Sequence, residues 1–164
     1  MENEDYGQPT EPPPQSGPPV RVAPHSIPAE ASVLGAMLIH APSVPTVTDI
    51  LTAEDFYRPA HQLIFTAIAE MTLRGDPVDL VTLREELIMH GQLDAVGGIE
   101  YLVALVKGVP TAANIAHYAG IVRRHARSRD LIVFGTELAQ NGWDVQEDPR
   151  DLIHAAQVRL NDLS

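Results

Sequence analysis

The stretch Pro24–Leu38, PHSIPAEASVLGAML, decides how this chain folds. Ser26 is a good N-cap, and Pro28 is tolerated in a first helical turn, where its missing amide hydrogen is not needed. Apolar residues then recur at the four-three-four spacing of one helical face, at Ile27, Ala31, Leu34 and Leu38. We therefore predict an amphipathic helix that opens a folded domain at about residue 24.

The segment before this helix has a different composition. Residues 1–23 contain six of the chain's 14 prolines and four acidic residues. Such a segment has too few apolar side chains for their burial to offset the entropy cost of ordering it. We therefore predict that residues 1–23 form a disordered, Pro-rich acidic tail.

The overall composition is that of an ordinary globular protein. The chain has 164 residues, 45% of them hydrophobic and 20% charged, which favours one domain. It has no cysteine, which excludes thiol nucleophiles, disulfides and cysteine-bound zinc. No apolar run approaches the roughly 20 residues of a membrane helix, and the acidic N-terminus is unlike a signal peptide. We expect a cytoplasmic protein with no membrane association.

After residue 24 the apolar spacing predicts about seven helices and no strand. Capping and breaking residues suggest the boundaries: a short helix over 43–51, one from Pro59 to Gly75, one from Asp79 to Gly91, one over IEYLVALV ended by Gly108, a long one from Thr111 to about Gln140, and one over 149–163. We predict an all-α fold, with a compact bundle of short helices over 24–109 and a helical hairpin over 110–164.

The sequence contains no recognisable catalytic, cofactor or metal motif. It lacks the G-x-x-x-x-G-K-[ST] phosphate loop, the H-E-x-x-H zinc motif and the G-x-S-x-G nucleophile turn. None of the seven histidines forms an i, i+4 pair with another. Glu85 and Glu86 stand in the middle of a predicted helix, and we expect them on its solvent-exposed face. We predict no catalytic, cofactor or metal residue.

The charge distribution favours a protein partner over DNA. The formal net charge is −11, whereas a duplex-binding domain takes most of its affinity from basic groups that neutralise phosphates. We expect weak or no direct DNA binding. The one basic cluster is RRHARSRD, in which Arg123 and Arg127 share a helical face. One interpretation is a patch that binds nucleic acid or an acidic partner. The other is a solvated face that pairs with acidic residues of a neighbouring helix.

Five motifs in order resemble the N-terminal domain of DnaB-type replicative DNA helicases. They are PHSIPAEASVLGAML, DFYRPAHQLIFTAI, GDPVDLVTLREEL, GQLDAVGGIEYLVAL and VPTAANIAHYAGIVRRHARSRDLI. Pro28 departs from the pattern, because the family commonly has an acidic residue there. The family's RecA-like ATPase motor would follow Ser164, so we expect the chain to end about where the family's linker begins.

The resemblance implies a non-catalytic interaction and oligomerisation domain. In the family, hairpins of neighbouring subunits pair into a collar, the domain receives the primase, and ATP and Mg belong to the motor. The expected partners are a second copy, as a dimer or hexameric collar, the neighbouring helicase subunits and primase. A stand-alone regulator of the helicase and a small helical DNA-binding regulator remain alternatives. The candidate interface residues are Ile115, Tyr118, Val122, Arg123, Arg127, Ile132, Phe134, Leu138, Ile153 and Leu160.

Overall fold

The computed structural model describes residues 21–109, 111–143 and 148–163, and within these residues the fold is all-helical, as predicted. The helices are α1 (Ile27–Ile39), α2 (Val44–Thr48), α3 (Pro59–Arg74), α4 (Leu80–Met89), α5 (Gly98–Lys107), α6 (Ile115–Gly142) and α7 (Pro149–Asp162). Two 3₁₀ turns, Ala41–Ser43 and Ala53–Asp55, flank α2. Residues 1–20 of the predicted disordered tail lie outside the described residues. None of the described helices is long and apolar enough to cross a bilayer.

Helix α1 is the centre of the bundle. It begins as predicted, with the Ser26 hydroxyl accepting a hydrogen bond from the amide of Ala29 at 3.4 Å. The buried surface of α1 is wider than the single apolar face that we expected, because Val33 and Met37 are fully buried as well. Helices α3, α5 and α6 all pack against α1. A helix surrounded on several sides is apolar on several sides.

Local capping chemistry explains the other boundaries of the bundle. Asp79 begins α4 by accepting hydrogen bonds from the amides of Val81 and Thr82 at 2.8 and 3.0 Å. Gly75 ends α3 in the left-handed conformation, with φ of 77°, which residues with a Cβ rarely adopt. Both residues were predicted in these roles from the sequence.

The start and end of α6 differ from the prediction. The helix begins at Ile115 because residues before it close a separate turn, in which the amide of Ile115 donates to the carbonyl of Ala112. The hydroxyl of Thr111 accepts from the amide of Ala113 at 3.2 Å, inside this turn. At its other end α6 continues to Gly142, beyond the predicted end at Gln140.

The expectation for Glu86 was wrong. Its side chain is buried, with an exposed fraction of 6%, and its Oε1 accepts a hydrogen bond from Nη2 of Arg74 at 2.8 Å. Glu86 lies three residues after Leu83, so it falls on the core face that Leu83 defines. Arg74 reaches it from the end of α3 and also binds Asp76. This ion pair joins α3 to α4.

Candidate interaction surface

Helix α7 packs against the second half of α6 to form a helical hairpin. The side chains that face each other across it are half-buried. They border an open groove of about 390 Å³ lined by Phe134, Glu137, Leu138, Asn141, Leu152, Ala155, Ala156 and Arg159. Because this groove is open, the two helices cover each other only in part.

The outer side of the hairpin exposes large apolar side chains. No described residue of α7 is buried, and Ile153 and Leu160 are 58% and 46% exposed. On α6, Ile132 is 54% exposed, and Leu131 and Val133 beside it are exposed to a similar extent. We call these five residues the hairpin surface. Apolar side chains concentrated in this way, on a helix that lacks a buried residue, are typical of a surface that binds another protein.

The structure divides the ten predicted interface residues into five groups. Ile132, Ile153 and Leu160 are exposed on the hairpin surface, whereas Phe134 and Leu138 lie in the groove between α6 and α7. The others belong to the first half of α6: Ile115, Tyr118 and Val122 against the bundle, Arg123 in an ion pair, and Arg127 in solvent.

Three of the predicted interface residues are corrected by the structure. Ile115 and Val122 are buried in this chain's own core, and Tyr118 packs partly against that core. The reason is that the first half of α6 lies along α1 and completes the bundle, before the helix continues into the hairpin. Side chains that are already covered by their own chain are not free to bind a neighbouring subunit.

Within the basic cluster, Arg123 fits the hypothesis of a face that pairs with acidic residues of a neighbouring element. For Arg124 and Arg127, the hypothesis of a patch for nucleic acid or an acidic partner remains open. Nη1 of Arg123 lies 2.6 Å from Oδ1 of the buried Asp55, so this arginine forms an ion pair with an acidic residue of a neighbouring element. Arg124 and Arg127 are exposed, and their side chains make no hydrogen bond or ion pair with any part of the chain that the structure describes.

Arg129 fastens α6 to the start of the folded domain. Its guanidinium donates to the carbonyl of Asp55 at 2.6 Å and to the carbonyl of Pro24 at 2.9 Å. It also lies over the ring of Tyr57, which stacks on His25 with ring centroids 4.2 Å apart. These contacts hold α6 at the point where it leaves the bundle, and so they set the direction of the hairpin.

We expect Arg129→Gln to lower the free energy of unfolding by about 1.5 kcal/mol, because hydrogen bonds to charged groups are lost. Chemical denaturation measures this difference. Arg127→Gln is the matched control, since it removes the same charge from the same helix without a hydrogen bond, and its effect should stay within about 0.5 kcal/mol. Equal losses for the two variants would contradict the role given to Arg129.

A buried polar network that sequence analysis missed joins α1, α3 and α5. The Glu30 carboxylate, with an exposed fraction of 1%, accepts from the amide of Tyr57 at 2.8 Å and from Nδ1 of His61 at 2.6 Å. On its other side, Nε2 of His61 lies 2.5 Å from the hydroxyl of Tyr101. That hydroxyl accepts from Nη1 of Arg58 at 3.0 Å.

The electrostatics of this network favour an ionised Glu30. Burial raises the pKa of this carboxyl, but the hydrogen bond from His61 and the amide of Tyr57 lower it, and so do the charge of His61 and the amide of Arg58. The lowering effects together are larger, so the net pKa lies below the ordinary value of 4.5. The arrangement stabilises the packing of three helices. Elsewhere in the described residues, no three His, Asp or Glu side chains are grouped so that they could hold a metal ion.

One signal in the sequence could have revealed Glu30. It stands three residues before the apolar run VLGAML, in the helix that is buried on most sides. A buried carboxylate requires hydrogen-bond donors. Its partner His61 is 31 residues away in the chain, and no local pattern connects the two.

Comparisons with known proteins place these features in a family. A family model described as the DnaB-like helicase N-terminal domain matches residues 22–124. The chain is 42% identical over 144 residues to the replicative DNA helicase DnaB of Geobacillus stearothermophilus, covering 88% of this chain and 32% of that protein. It is 41% identical over 146 residues to DnaB of Mycobacterium leprae (strain TN), covering 88% and 24%. The chain thus spans about a third or less of the length of these relatives.

Solved structures show the same fold. The crystal structure of the N-terminal domain of DnaB helicase from Mycobacterium tuberculosis matches with a TM-score of 0.80 at 40% identity, covering 86% of this chain and 99% of that one. A DnaB-like replicative helicase, described with its interactions with primase, matches with a TM-score of 0.71 at 22% identity, covering 85% and 32%. At that identity the second match supports the fold alone.

Proposed function

Since this chain belongs to the family of DnaB-like helicase N-terminal domains, we propose that it is the protein-interaction and oligomerisation domain of a replicative DNA helicase. In this role it pairs with neighbouring subunits through its hairpin and docks primase during DNA replication. The proposed setting is the cytoplasm, where a bacterial replicative helicase of this family would meet its partners.

The observation that carries the proposal is the hairpin surface. Helix α7 buries none of its described residues in this chain, and it leaves the large apolar side chains of Ile153 and Leu160 exposed. A short helix is only marginally stable in water without tertiary packing. A second hairpin laid against this one would cover these side chains and stabilise α7.

Static light scattering over a concentration series tests the pairing. We expect the mass to rise from that of the 17.8 kDa chain towards about twice that value. The double variant Ile153→Gln and Leu160→Gln should remain a monomer at concentrations where the wild type is associated. The matched control, Leu73→Gln and Met89→Gln, changes two exposed apolar residues of the bundle, and it should associate like the wild type.

Two results would count against the pairing. The first is a strict monomer at the highest concentration for the unmodified chain. The second is equal loss of association in the hairpin variant and in the bundle control, since that would indicate a general effect of exposed apolar side chains and not a specific surface.

The primase part of the proposal is supported by the family and by the fold that this chain shares with a helicase described in its interactions with primase. A pull-down with the cognate primase tests it directly, with the related helicase as a second bait. We expect the chain to be retained on both. Recovery with neither protein would overturn the proposed role in the replication machinery.

We further propose that the chain itself does not hydrolyse ATP. The proposal rests on the sequence, in which no phosphate loop with its lysine and hydroxyl occurs. ATP and Mg would act in the motor region that the longer relatives contain. An ATPase assay on the isolated chain is decisive, because turnover above background would contradict this assignment.

A further inference from the structure

Helix α6 carries a basic depression that shares only Leu131 with the hairpin surface. It is an open groove of about 400 Å³ between the end of α2 and α6, lined chiefly by Ile50, Arg123, Arg124, Arg127, Ser128 and Leu131. We call it the arginine groove. Arg123 is engaged by Asp55, whereas Arg124 and Arg127 have exposed, unengaged guanidinium groups within the described residues.

No described acidic side chain neutralises these two arginines. Asp49 precedes Ile50 at the rim of the groove, and Asp130 follows on α6, but neither forms an ion pair with Arg124 or Arg127 in the described residues. The chain has only 11 Lys and Arg against 22 Asp and Glu, so an exposed pair of unmatched arginines stands out from the rest of the molecule.

We propose that the arginine groove binds the acidic N-terminal segment of the same chain, residues 2–11. This segment contains Glu2, Glu4, Asp5 and Glu11, and residues 1–20 contain no Lys or Arg. Its charge is therefore opposite to that of the groove, and carboxylates are the usual partners of guanidinium groups. Bound there, the segment shields the groove from other anions.

The path of the chain into the folded domain leaves the groove within reach of this occupant. The carbonyl of Pro24 is held by Arg129 at 2.9 Å. On α6, Arg127 and Arg124 are two and five residues from Arg129, a rise of about 3 and 7.5 Å. Arg129 lies about 160° around α6 from Arg127, so the N-terminal segment enters the folded domain on another side of this helix and has to pass around it to reach the groove. A chain of 13 residues, from Pro24 back to Glu11, reaches at most about 45 Å when fully extended, which is ample for that path.

The N-terminal segment is covalently attached to the same chain as the groove, and this also favours it over a separate anion. A tethered group is present at an effective concentration on the order of millimolar. A nucleic acid or an acidic protein must instead approach a chain with a formal net charge of −11, which repels polyanions at long range. Exposed ion pairs are individually weak, so the contact should be readily reversible and sensitive to salt.

The test compares amide NMR spectra of the full-length chain with those of a variant that neutralises the segment, Glu2→Gln, Glu4→Gln, Asp5→Asn and Glu11→Gln. We expect shifts at Gly120, Arg124, Arg127 and Ser128 at low ionic strength. They should disappear at about 0.5 M salt, where screening extends only a few ångströms. A matched control neutralises four exposed acids of the bundle and should leave these amides unchanged: Glu70, Glu85, Asp94 and Glu100.

A second measurement uses a single-stranded oligonucleotide as an anionic probe. The segment-neutralised variant should bind it about tenfold more tightly than the wild type at low salt, because phosphate contacts to the groove become available. Adding Arg124→Gln and Arg127→Gln to that variant should abolish the gain. These variants leave the hairpin surface intact, so the result does not depend on subunit pairing.

Three outcomes would overturn the proposal. Unchanged groove amides in the neutralised variant would show that the segment does not bind there. Shifts that grow with protein concentration would assign the groove to a second copy. Equal oligonucleotide affinity for the wild type and the neutralised variant would make nucleic acid, and not the segment, the ligand of the groove.

Discussion

Glu30→Gln lowers the free energy of unfolding by about 1 to 3 kcal/mol, the cost of leaving a buried hydrogen-bond donor without its acceptor. The wild-type carboxylate accepts hydrogen bonds from the amide of Tyr57 and from Nδ1 of His61, and it is 1% exposed. A glutamine side chain has nearly the same size, but its amide NH₂ would face one of these donors. The substitution creates no cavity, so the loss of stability reports on hydrogen bonding and charge. Urea denaturation monitored by circular dichroism gives its value.

Glu70→Gln is the matched control for this experiment. Glu70 lies on the exposed side of α3, and removal of a solvated charge should change stability by no more than about 0.5 kcal/mol. If both variants lose the same stability, then the buried network does not hold the three helices together in the way that the distances indicate.

The same network predicts how the effect of Glu30 depends on pH. Because its folded-state pKa lies below the ordinary 4.5, the stabilisation from Glu30 is fully present above about pH 4.5. It is lost as the pH falls through the lower, folded-state pKa, where the carboxylate becomes protonated. The stability difference between the wild type and Glu30→Gln should therefore become smaller as the pH falls below about 4.5. A difference that widened on acidification would contradict the ionised state of Glu30.

Gly35→Ala should destabilise the bundle by about 3 kcal/mol or more, the upper end of overpacking costs. A Cβ at this position would lie only 2.3 Å from the carbonyl oxygen of Leu105 and 2.7 Å from Cγ2 of Val109. The first of these atoms belongs to the backbone of α5, so relief requires α1 and α5 to move apart. Glycine is thus required where these two helices cross, although alanine is the better helix former.

Gly120→Ala is the control for Gly35. Gly120 is also inside a helix, but nothing lies within 4 Å of the position of its added Cβ. There the higher helix propensity of alanine should stabilise the chain by up to about 1 kcal/mol. We expect the two substitutions to change the free energy of unfolding in opposite directions, as measured by thermal or chemical denaturation. A stabilising effect at Gly35 would contradict the close approach of α1 and α5.

The candidate interaction surface could be predicted only in part. The family resemblance gave Ile153 and Leu160 as interface candidates, and they are exposed in the structure. The same resemblance gave Ile115 and Val122, which are buried against the bundle. Periodicity along α6 shows that a face is apolar, but it does not distinguish a face covered by the same chain from one left for a partner.

The helices and most of their ends were determined by the sequence alone, because the interactions that start and stop a helix reach only a few residues along the chain. Ser26 and Asp79 bind amides three residues away, and Gly75 supplies its own left-handed conformation. The buried network required the tertiary structure. Glu30 meets His61 across 31 residues, and His61 meets Tyr101 across 40. Only the packing of α1, α3 and α5 brings these groups together, and only that packing makes Glu30 a buried charge.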